Sequence, residues 1–263
     1  MTRAVELPDG GHLNAVVEGP ESAPWVVFSN SVLTDLSIWE PQAAVLRDRF
    51  RVLRYDQRGH GKSSVRPRPM SFDDYGADLA ALMRAVGASD ACFVGLSMGV
   101  PTGLAAHNAM SGLFRRFVFT DGVSRSGAGR EAFWTERRAF ARTQGMQALA
   151  EQTAARWLPG EAQDSASLAA LIAMIAATPV EGFAAATHAL GAYDQSAALA
   201  SVIGATLCIA GTLDGAMPDT MKAQFAGLPD VRFAGVEGAG HVPNHQKPAA
   251  YTALLVDFLE ATA

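Results

Sequence analysis

Short apolar runs and longer segments of helical period alternate along most of this 263-residue chain, and this alternation most restricts its fold. Eight segments have the patterning of strands: 4–7, 12–17, 25–29, 51–55, 91–96, 114–120, 206–210 and 231–236. Five accompanying segments have helical spacing: 35–48, 72–86, 98–110, 219–226 and 248–260. Because parallel strands need crossover helices, the sequence predicts an α/β fold, with a mostly parallel eight-stranded sheet and helices on both faces.

The alternation stops in one long stretch that has helical but no strand-like patterning. Residues 122–200 are rich in Ala, Leu, Met and Glu, and they are interrupted at Pro159 and Pro179. We predict a helical cap over this stretch. It would be inserted between a first part of the core at 1–121 and a second part at 201–263.

Composition and charge narrow the classes of function. The net charge of −5 gives no electrostatic reason to expect a nucleic acid or an anionic membrane as partner. No apolar run approaches the roughly 20 residues of a membrane span, and no secretion signal is visible. Cys92 and Cys208 lie in separate strand-like segments, which favours reduced thiols in a cytoplasmic protein. The sequence has no Cys/His cluster of metal-binding type, so no metal site is expected.

The segment Gly95-Leu96-Ser97-Met98-Gly99 follows a predicted strand and precedes a predicted helix. The pattern G-x-S-x-G is short, but this strand–turn–helix context is typical of a nucleophilic serine. Such a turn exposes the Ser97 hydroxyl at the carboxyl end of the sheet, where open α/β sheets bind ligands. The flanking glycines avoid crowding in the turn, and the N–H of Met98 faces the same space at a helix N-terminus. Ser97 is therefore the candidate nucleophile, and Met98 is a candidate donor to an oxyanion.

A serine nucleophile needs a base and an orienting carboxylate, and two later loops supply them. On this topology the order should be Ser, acid, His, with each residue after a later strand. Asp214 lies in a Gly-Thr-Leu-Asp-Gly loop after strand 206–210, and His241 ends a glycine-rich loop after strand 231–236. We therefore predict a triad of Ser97, Asp214 and His241.

Three other residues compete for these roles. Asp121 also follows a predicted strand and is the alternative acid, although the loop and the chain order favour Asp214. His245 lies at the start of the last helix, a position that suits surface capping. His60 lies in a glycine-rich loop, where a structural role is the simpler interpretation.

A second oxyanion donor is expected from the loop after the third strand. The candidate segment is 28–35, with the N–H of Val32 as the donor. Asn30 and Ser31 in the same segment suit local hydrogen bonds as well as ligand contacts. Val32 and Met98 together form the predicted oxyanion hole.

The chain resembles the α/β-hydrolase superfamily over nearly its whole length. The resemblance lies in Tyr-Asp-Gln-Arg-Gly-His-Gly-Lys-Ser at 55–63, in the turn at 95–99, and in the loops of the acid and the histidine. Within the superfamily the chain most resembles 3-oxoadipate enol-lactonases. Two segments carry this closer resemblance: Asn-Ser-Val-Leu-Thr-Asp-Leu-Ser-Ile-Trp at 30–39 and Thr-Pro-Val-Glu-Gly-Phe at 178–183. The serine separates it from haloalkane dehalogenases and epoxide hydrolases, which use an aspartate at that turn.

The chain departs from the lactonase pattern at a few positions. Leu33 stands where that pattern has glycine, and Val100 replaces the second glycine after the turn. Leu213 stands where an acidic residue is usual. Since Leu33 and Val100 lie near the expected oxyanion hole, these departures bear on the choice of acyl substrate.

The resemblance implies a serine hydrolase that opens a small lactone or ester through an acyl-enzyme and needs no cofactor. An enol-lactone such as 3-oxoadipate enol-lactone carries a carboxylate, so the cap is expected to supply a cation. The candidate substrate-binding residues are cap arginines and tryptophans: Arg130, Trp134, Arg137, Arg138 and Trp157.

Three alternatives remain open at this point. A general carboxylesterase or perhydrolase would use the same triad, and so would a hydrolase of carbon–carbon bonds in ring-cleavage products. A receptor on the same fold would bind a small ligand without needing turnover. The sequence does not decide between a monomer and a homo-oligomer.

Overall fold

The computed structural model describes residues 2–66, 68–110, 112–162 and 164–262; Met1 and Ala263, the outermost residues of the predicted core, lie outside these ranges. The strands are β1 (Thr2–Glu6), β2 (His12–Glu18), β3 (Trp25–Ser29), β4 (Arg51–Tyr55), β5 (Ala91–Leu96), β6 (Phe114–Thr120), β7 (Thr206–Gly211) and β8 (Val231–Val236). They form one eight-stranded sheet in the order β1-β2-β4-β3-β5-β6-β7-β8. The pairs β1–β2 and β2–β4 are antiparallel and the other pairs are parallel, which confirms the predicted sheet.

Helices follow most of the parallel strands. Within the described ranges the α-helices are α1 (Glu40–Leu46), α2 (Phe72–Val86), α3 (Gly99–Ala109), α4 (Arg130–Trp157), α5 (Ala166–Ala176), α6 (Val180–Gly191), α7 (Ser196–Ala200), α8 (Met217–Phe225), α9 (Pro243–Gln246) and α10 (Pro248–Ala261). The segment predicted as one helix at 35–48 is instead a 3-10 turn at Leu36–Trp39 followed by α1. Asp35 caps the 3-10 turn by accepting a hydrogen bond from the N–H of Ser37 (2.8 Å).

Side chains on the two faces of the sheet pack into two apolar cores. Along β5, Cys92 and Val94 enter one core and Phe93 enters the other, because successive strand residues point to opposite faces. Helices α1 and α10 contribute buried residues to the first core, and α2, α3 and α8 contribute to the second. The central strands are therefore apolar on both faces, which confirms the predicted helices on each side of the sheet.

Helix α4 folds back on itself at one glycine. Gly145 has a φ of 86° and a ψ of 165°, which are not helical values. Beyond this break the chain returns, so that Arg137 donates a hydrogen bond to Gln152 (3.1 Å) and the guanidinium of Arg156 lies over the ring of Phe133. At a rise of about 1.5 Å per residue, an unbroken helix would hold either pair more than about 20 Å apart. The division of the chain into a core and a cap remains a prediction.

Membrane-spanning helices need about 20 mostly apolar residues. In the part of the chain that the structure describes, no single helix has this length and hydropathy. Helices α5 and α6 reach it only when taken together, and they are bent by 93° where they meet.

Helix α6 packs against the loop after β4 through two glycines. A Cβ atom on Gly182 would overlap the backbone of Gly59, and Gly59 has a φ of 84°. These glycines lie in the two segments 178–183 and 55–63 that carry part of the resemblance to α/β-hydrolases. The resemblance at these positions therefore reflects the close approach of a helix to a loop.

We expect Gly182→Ala to lower the free energy of unfolding by about 1–3 kcal/mol, because the added methyl group forces the backbone apart. Gly227→Ala is the matched control, since a Cβ atom there meets nothing within 4 Å. Urea denaturation of both variants measures the difference. Equal stabilities would show that the contact between α6 and the loop is absent in solution.

Candidate active site

Strand β5 ends in a tight turn that exposes Ser97. Ser97 has a φ of 51°, and its N–H donates to the carbonyl oxygen of Thr120 at the end of β6 (2.8 Å). A Cβ atom on Gly99 would overlap the carbonyl oxygen of Ser29, and one on Gly95 would lie 2.8 Å from the carbonyl carbon of Gly99. The turn therefore requires both glycines, and the predicted strand–turn–helix arrangement is confirmed.

The structure brings Ser97, His241 and Asp214 into one hydrogen-bonded series. The distance from His241 Nε2 to Ser97 Oγ is 3.0 Å, and that from His241 Nδ1 to Asp214 Oδ2 is 2.7 Å. The main-chain N–H of His241 donates to the carbonyl oxygen of Trp157 (3.1 Å), whose ring lies 5.0 Å from the imidazole. Both imidazole nitrogens thus have partners, as a base oriented by a carboxylate requires.

The environment of Asp214 favours its ionised form. Burial raises the pKa of Asp214, but the charge and the hydrogen bond of His241 lower it, and Asp121 and Arg156 lower it further. The resulting pKa of Asp214 lies below the usual value for an aspartate. An ionised Asp214 can orient the imidazole and stabilise an imidazolium.

Two main-chain N–H groups close to the serine have no acceptor in the described part of the chain. Among the described residues, neither Val32 nor Met98 donates its N–H to a hydrogen bond. Met98 directly follows Ser97, and Val32 lines the same cavity as Ser97. Free N–H groups in these places are suited to a developing oxyanion.

The loop that carries Val32 is fixed by buried hydrogen bonds. The side-chain amide of Asn30 donates to the carbonyl oxygen of Tyr55 (2.9 Å), and the carbonyl oxygen of Asn30 accepts from the side chain of Gln57 (2.6 Å). Leu33 has a φ of 67° and a buried side chain. This left-handed backbone favours glycine, the residue of the lactonase pattern, so in this chain the apolar core holds a leucine in that conformation.

Ser97, Asp214 and His241 line a cavity of about 420 Å³. Three of the predicted substrate-binding residues, Arg130, Trp134 and Trp157, also line it. The cavity is therefore bounded by the ends of the parallel strands and by helix α4.

Arg130 and Arg156 bring two positive charges to this cavity. Their guanidinium groups lie 4.6 and 5.5 Å from the ring centroid of Phe133, and neither pairs with a carboxylate of a described residue. Burial and the charge of Arg156 lower the pKa of Arg130. The Nε1–H of Trp134 is buried and donates to no acceptor in the described part of the chain. Two cations without a described carboxylate partner make this cavity suited to an anion such as a carboxylate.

The structure places Arg137 and Arg138 outside the lining of this cavity, contrary to the prediction. Arg137 donates hydrogen bonds to Gln152 and to Thr153, and Arg138 donates to Thr135 (2.7 Å). Sequence reasoning missed Arg156, which the reversal of α4 carries into the cavity. Gly145, in the middle of a long helical pattern, signals that the helix can break there but does not show which arginines then face the cavity.

The other histidines make contacts away from the cavity lining. His60 is buried, its Nδ1 lies 3.2 Å from the carbonyl oxygen of Arg58, and burial lowers the pKa of His60 to about 4. His245 hydrogen bonds through Nε2 to the carbonyl oxygen of Ser167 (2.9 Å). Neither contacts Ser97 or Asp214 through a described hydrogen bond.

Asp121 lies beside the predicted acid but does not bond the histidine. Its carboxyl accepts from the N–H of Gly211, at 3.1 and 3.2 Å for its two oxygens. Side-chain atoms of Asp121, Asp214 and His241 lie within 4.8 Å of one another, a spacing that could also hold a metal ion. The hydrogen bonds of His241 to Ser97 and Asp214 account for the arrangement without an ion.

Comparisons with known proteins agree with this architecture. The family model for the alpha/beta hydrolase fold matches residues 24–248. The 3-oxoadipate enol-lactonase 1 of Acinetobacter baylyi is 30% identical over 254 residues, which cover 96% of this chain and 94% of that protein. The 3-oxoadipate enol-lactonase 2 of the same organism is 32% identical over 246 residues, covering 91% and 90%.

A solved structure of an enol-lactonase has a similar fold. The crystal structure of the enol-lactonase from Burkholderia xenovorans LB400 has a TM-score of 0.90 and 33% identity, and the match covers 99% of this chain and 100% of that one. The fold and the serine turn define an α/β-hydrolase. This chain belongs to the α/β-hydrolase family, and its likeness to 3-oxoadipate enol-lactonases is confirmed.

We expect Ser97→Gly to be more stable than Ser97→Ala by about 1 kcal/mol, because only glycine adopts a positive φ without a steric cost. Both variants lose the hydroxyl, so the backbone conformation is what distinguishes them. At Ser167, inside α5, the same two substitutions should rank in the opposite order, since alanine favours helices. Thermal or urea unfolding of the four variants checks this, and the same ranking at both sites would contradict a strained turn at Ser97.

Proposed function

We propose that this chain hydrolyses the ester bond of a small lactone that carries a free carboxylate, an enol-lactone such as 3-oxoadipate enol-lactone. The observation that carries the proposal is the hydrogen-bonded series of Ser97, His241 and Asp214 in a cavity that also holds unpaired cations. The two curated relatives and the solved relative are enol-lactonases by name, and each matches this chain over most of its length.

In the first half of the proposed reaction, Ser97 Oγ attacks the lactone carbonyl carbon while His241 Nε2 takes its proton. Asp214 holds the imidazole through Nδ1 and stabilises the imidazolium that forms. The negative charge develops on the former carbonyl oxygen, which the N–H groups of Val32 and Met98 would bind. Each such donor contributes about 3–4 kcal/mol to transition-state stabilisation.

Ring opening gives the second half of the reaction a particular order. The leaving enol oxygen stays tethered to the acyl group, so His241 must return its proton to that oxygen before it can activate water. The water then attacks the acyl carbon, His241 accepts the water proton, and Ser97 leaves with a proton from the imidazolium. A cavity closed over the site would keep the tethered enol in place during this exchange. We propose that the segment 122–200 acts as the cap, and the lining of the cavity by α4 supports this.

Recognition of the carboxylate is assigned to Arg130 and Arg156, whose guanidinium groups both lie near the ring of Phe133 in the cavity. Charge-assisted hydrogen bonds of this kind are shorter and stronger than those between neutral groups. Both arginines also reach solvent, and an anionic substrate would supply the carboxylate partner that neither has among the described residues. Trp157 and Phe133 would form apolar walls beside the ring.

Ser97→Ala is expected to lower kcat for opening of 3-oxoadipate enol-lactone by about 10⁶-fold, because no nucleophile remains. Asp214→Asn is expected to lower kcat by about 10⁴-fold, because the imidazole loses its orienting carboxylate. Loss of the lactone absorbance measures both, with p-nitrophenyl acetate as a second substrate. If the wild-type protein bound lactones tightly but turned over neither lactones nor esters, a ligand-binding receptor would be the correct description.

Arg156→Gln is expected to lower kcat/KM for the carboxylate-bearing lactone by about 10- to 100-fold, the value of one charged hydrogen bond. The methyl ester of the same lactone should lose much less, because it offers no charge to the arginine. Comparing ring opening of the two substrates also cancels any effect of Arg156 on Asp214.

Arg142→Gln is the matched control, because Arg142 is exposed and pairs with Glu181 at 3.1 Å. We expect this variant to treat both substrates as the wild type does. Equal losses for the acid and its methyl ester in Arg156→Gln would contradict carboxylate recognition and favour a general carboxylesterase.

A further inference from the structure

Asp121 is a buried carboxyl group that the proposed mechanism does not use. It directly follows β6, has a φ of 40°, and is fully buried at the lining of the cavity. Its hydrogen bonds to described residues come from one donor, the N–H of Gly211. An aspartate in a strained backbone conformation, with so few donors, is not explained by the local fold.

The titratable and charged groups near Asp121, among the described residues, are Asp214, His241 and Tyr251. Asp214 and His241 lie within 4.8 Å, measured between side-chain atoms. Asp121 helps to raise the pKa of Tyr251 of α10, whose hydroxyl is hydrogen bonded to that of Thr120 (2.7 Å). Arg156 acts on Asp214 instead. Ionising both carboxyls at this separation is costly, because Asp121 is fully buried and Asp214 is largely shielded from solvent, so one of them is expected to retain a proton.

The surroundings decide which carboxyl retains the proton. Asp214 accepts a hydrogen bond from His241 at 2.7 Å and lies in the field of Arg156, so it is the better place for the negative charge. Asp121 has neither a cation nor a side-chain donor among the described residues. Burial and then the charge of Asp214 raise the pKa of Asp121 well above its usual value.

We propose that Asp121 is a neutral carboxylic acid that donates an O–H···O hydrogen bond to the carboxylate of Asp214, as a positioning residue of the triad. The inference rests on the triad proposed above. The proton stays on Asp121 throughout the reaction, and His241 alone exchanges protons with Ser97 and the substrate. The hydrogen bond from Asp121 fixes the orientation of Asp214 and withdraws part of its negative charge from His241.

The consequence for the pH dependence has a definite sign. A less negative Asp214 attracts the positive charge of an imidazolium less strongly, so the hydrogen bond from Asp121 opposes protonation of His241. Removing the donor concentrates the charge on Asp214 and stabilises the imidazolium. The acidic limb of kcat/KM, which reports this protonation in the free enzyme, then moves to higher pH.

Two variants separate a neutral Asp121 from an ionised one. Asp121→Asn replaces a neutral acid by a neutral amide that can accept from Gly211 and donate to Asp214, so we expect it to keep the acidic limb of the wild type. Asp121→Leu has a similar volume but cannot donate, so we expect its acidic limb to move up by about one pH unit. A shift as large in Asp121→Asn as in Asp121→Leu would overturn the proposal.

A measurement without substrate keeps the test decisive even where Asp121→Leu fails to fold. At pH 7, the infrared difference spectrum of wild type minus Asp121→Asn should contain the C=O band of a protonated carboxylic acid. Absence of that band would overturn the proposal while leaving the proposed hydrolase intact. Conversely, a wild-type protein that shows the band but hydrolyses neither lactones nor esters would refute the proposed function alone.

Discussion

The close packing of three neighbouring strand ends fixes where Ser97 stands. Strands β3, β5 and β6 are adjacent and parallel, with Ser29 beside Gly95 and Leu96 beside Thr120. The backbone after Ser29 approaches Gly99 too closely for any Cβ atom, and Thr120 accepts the N–H of Ser97. Because all three strands end at one edge, the loops that carry Val32, Ser97 and Asp121 open into the same cavity.

A second network ties the oxyanion loop to the rest of the core. The carboxylate of Asp56 accepts hydrogen bonds from Asn14, from the N–H of Leu36 and from the N–H of Lys62. Gln57 bridges the carbonyl oxygen of Asn30 and the hydroxyl of Thr102 on α3. The segment 55–63 therefore contributes to the site by holding other segments in place, since its own side chains do not line the cavity.

Sequence periodicity predicted the sheet and the positions of Ser97, Asp214 and His241, because each of these residues lies in the loop after a strand whose end the pattern reveals. It could not predict the cationic site. Which arginines face the cavity depends on the reversal of α4 at Gly145, and a glycine within a helical pattern does not specify a direction. The sequence also could not predict that Asp121 and Asp214 lie close together. Chain order favours one acid over the other and does not show that both are in one site.

The net charge of the cavity connects the proposed carboxylate-binding arginines with the proposed proton on Asp121. With Asp121 neutral and His241 unprotonated, Arg130 and Arg156 exceed Asp214 by one positive charge, so an anionic substrate brings the cavity to neutrality. With Asp121 ionised, the same substrate would leave a negative excess. That excess would stabilise the imidazolium of His241 and remove the base that Ser97 needs. A proton on Asp121 is therefore the condition under which one small cavity can both bind a carboxylate and keep a neutral imidazole beside its serine.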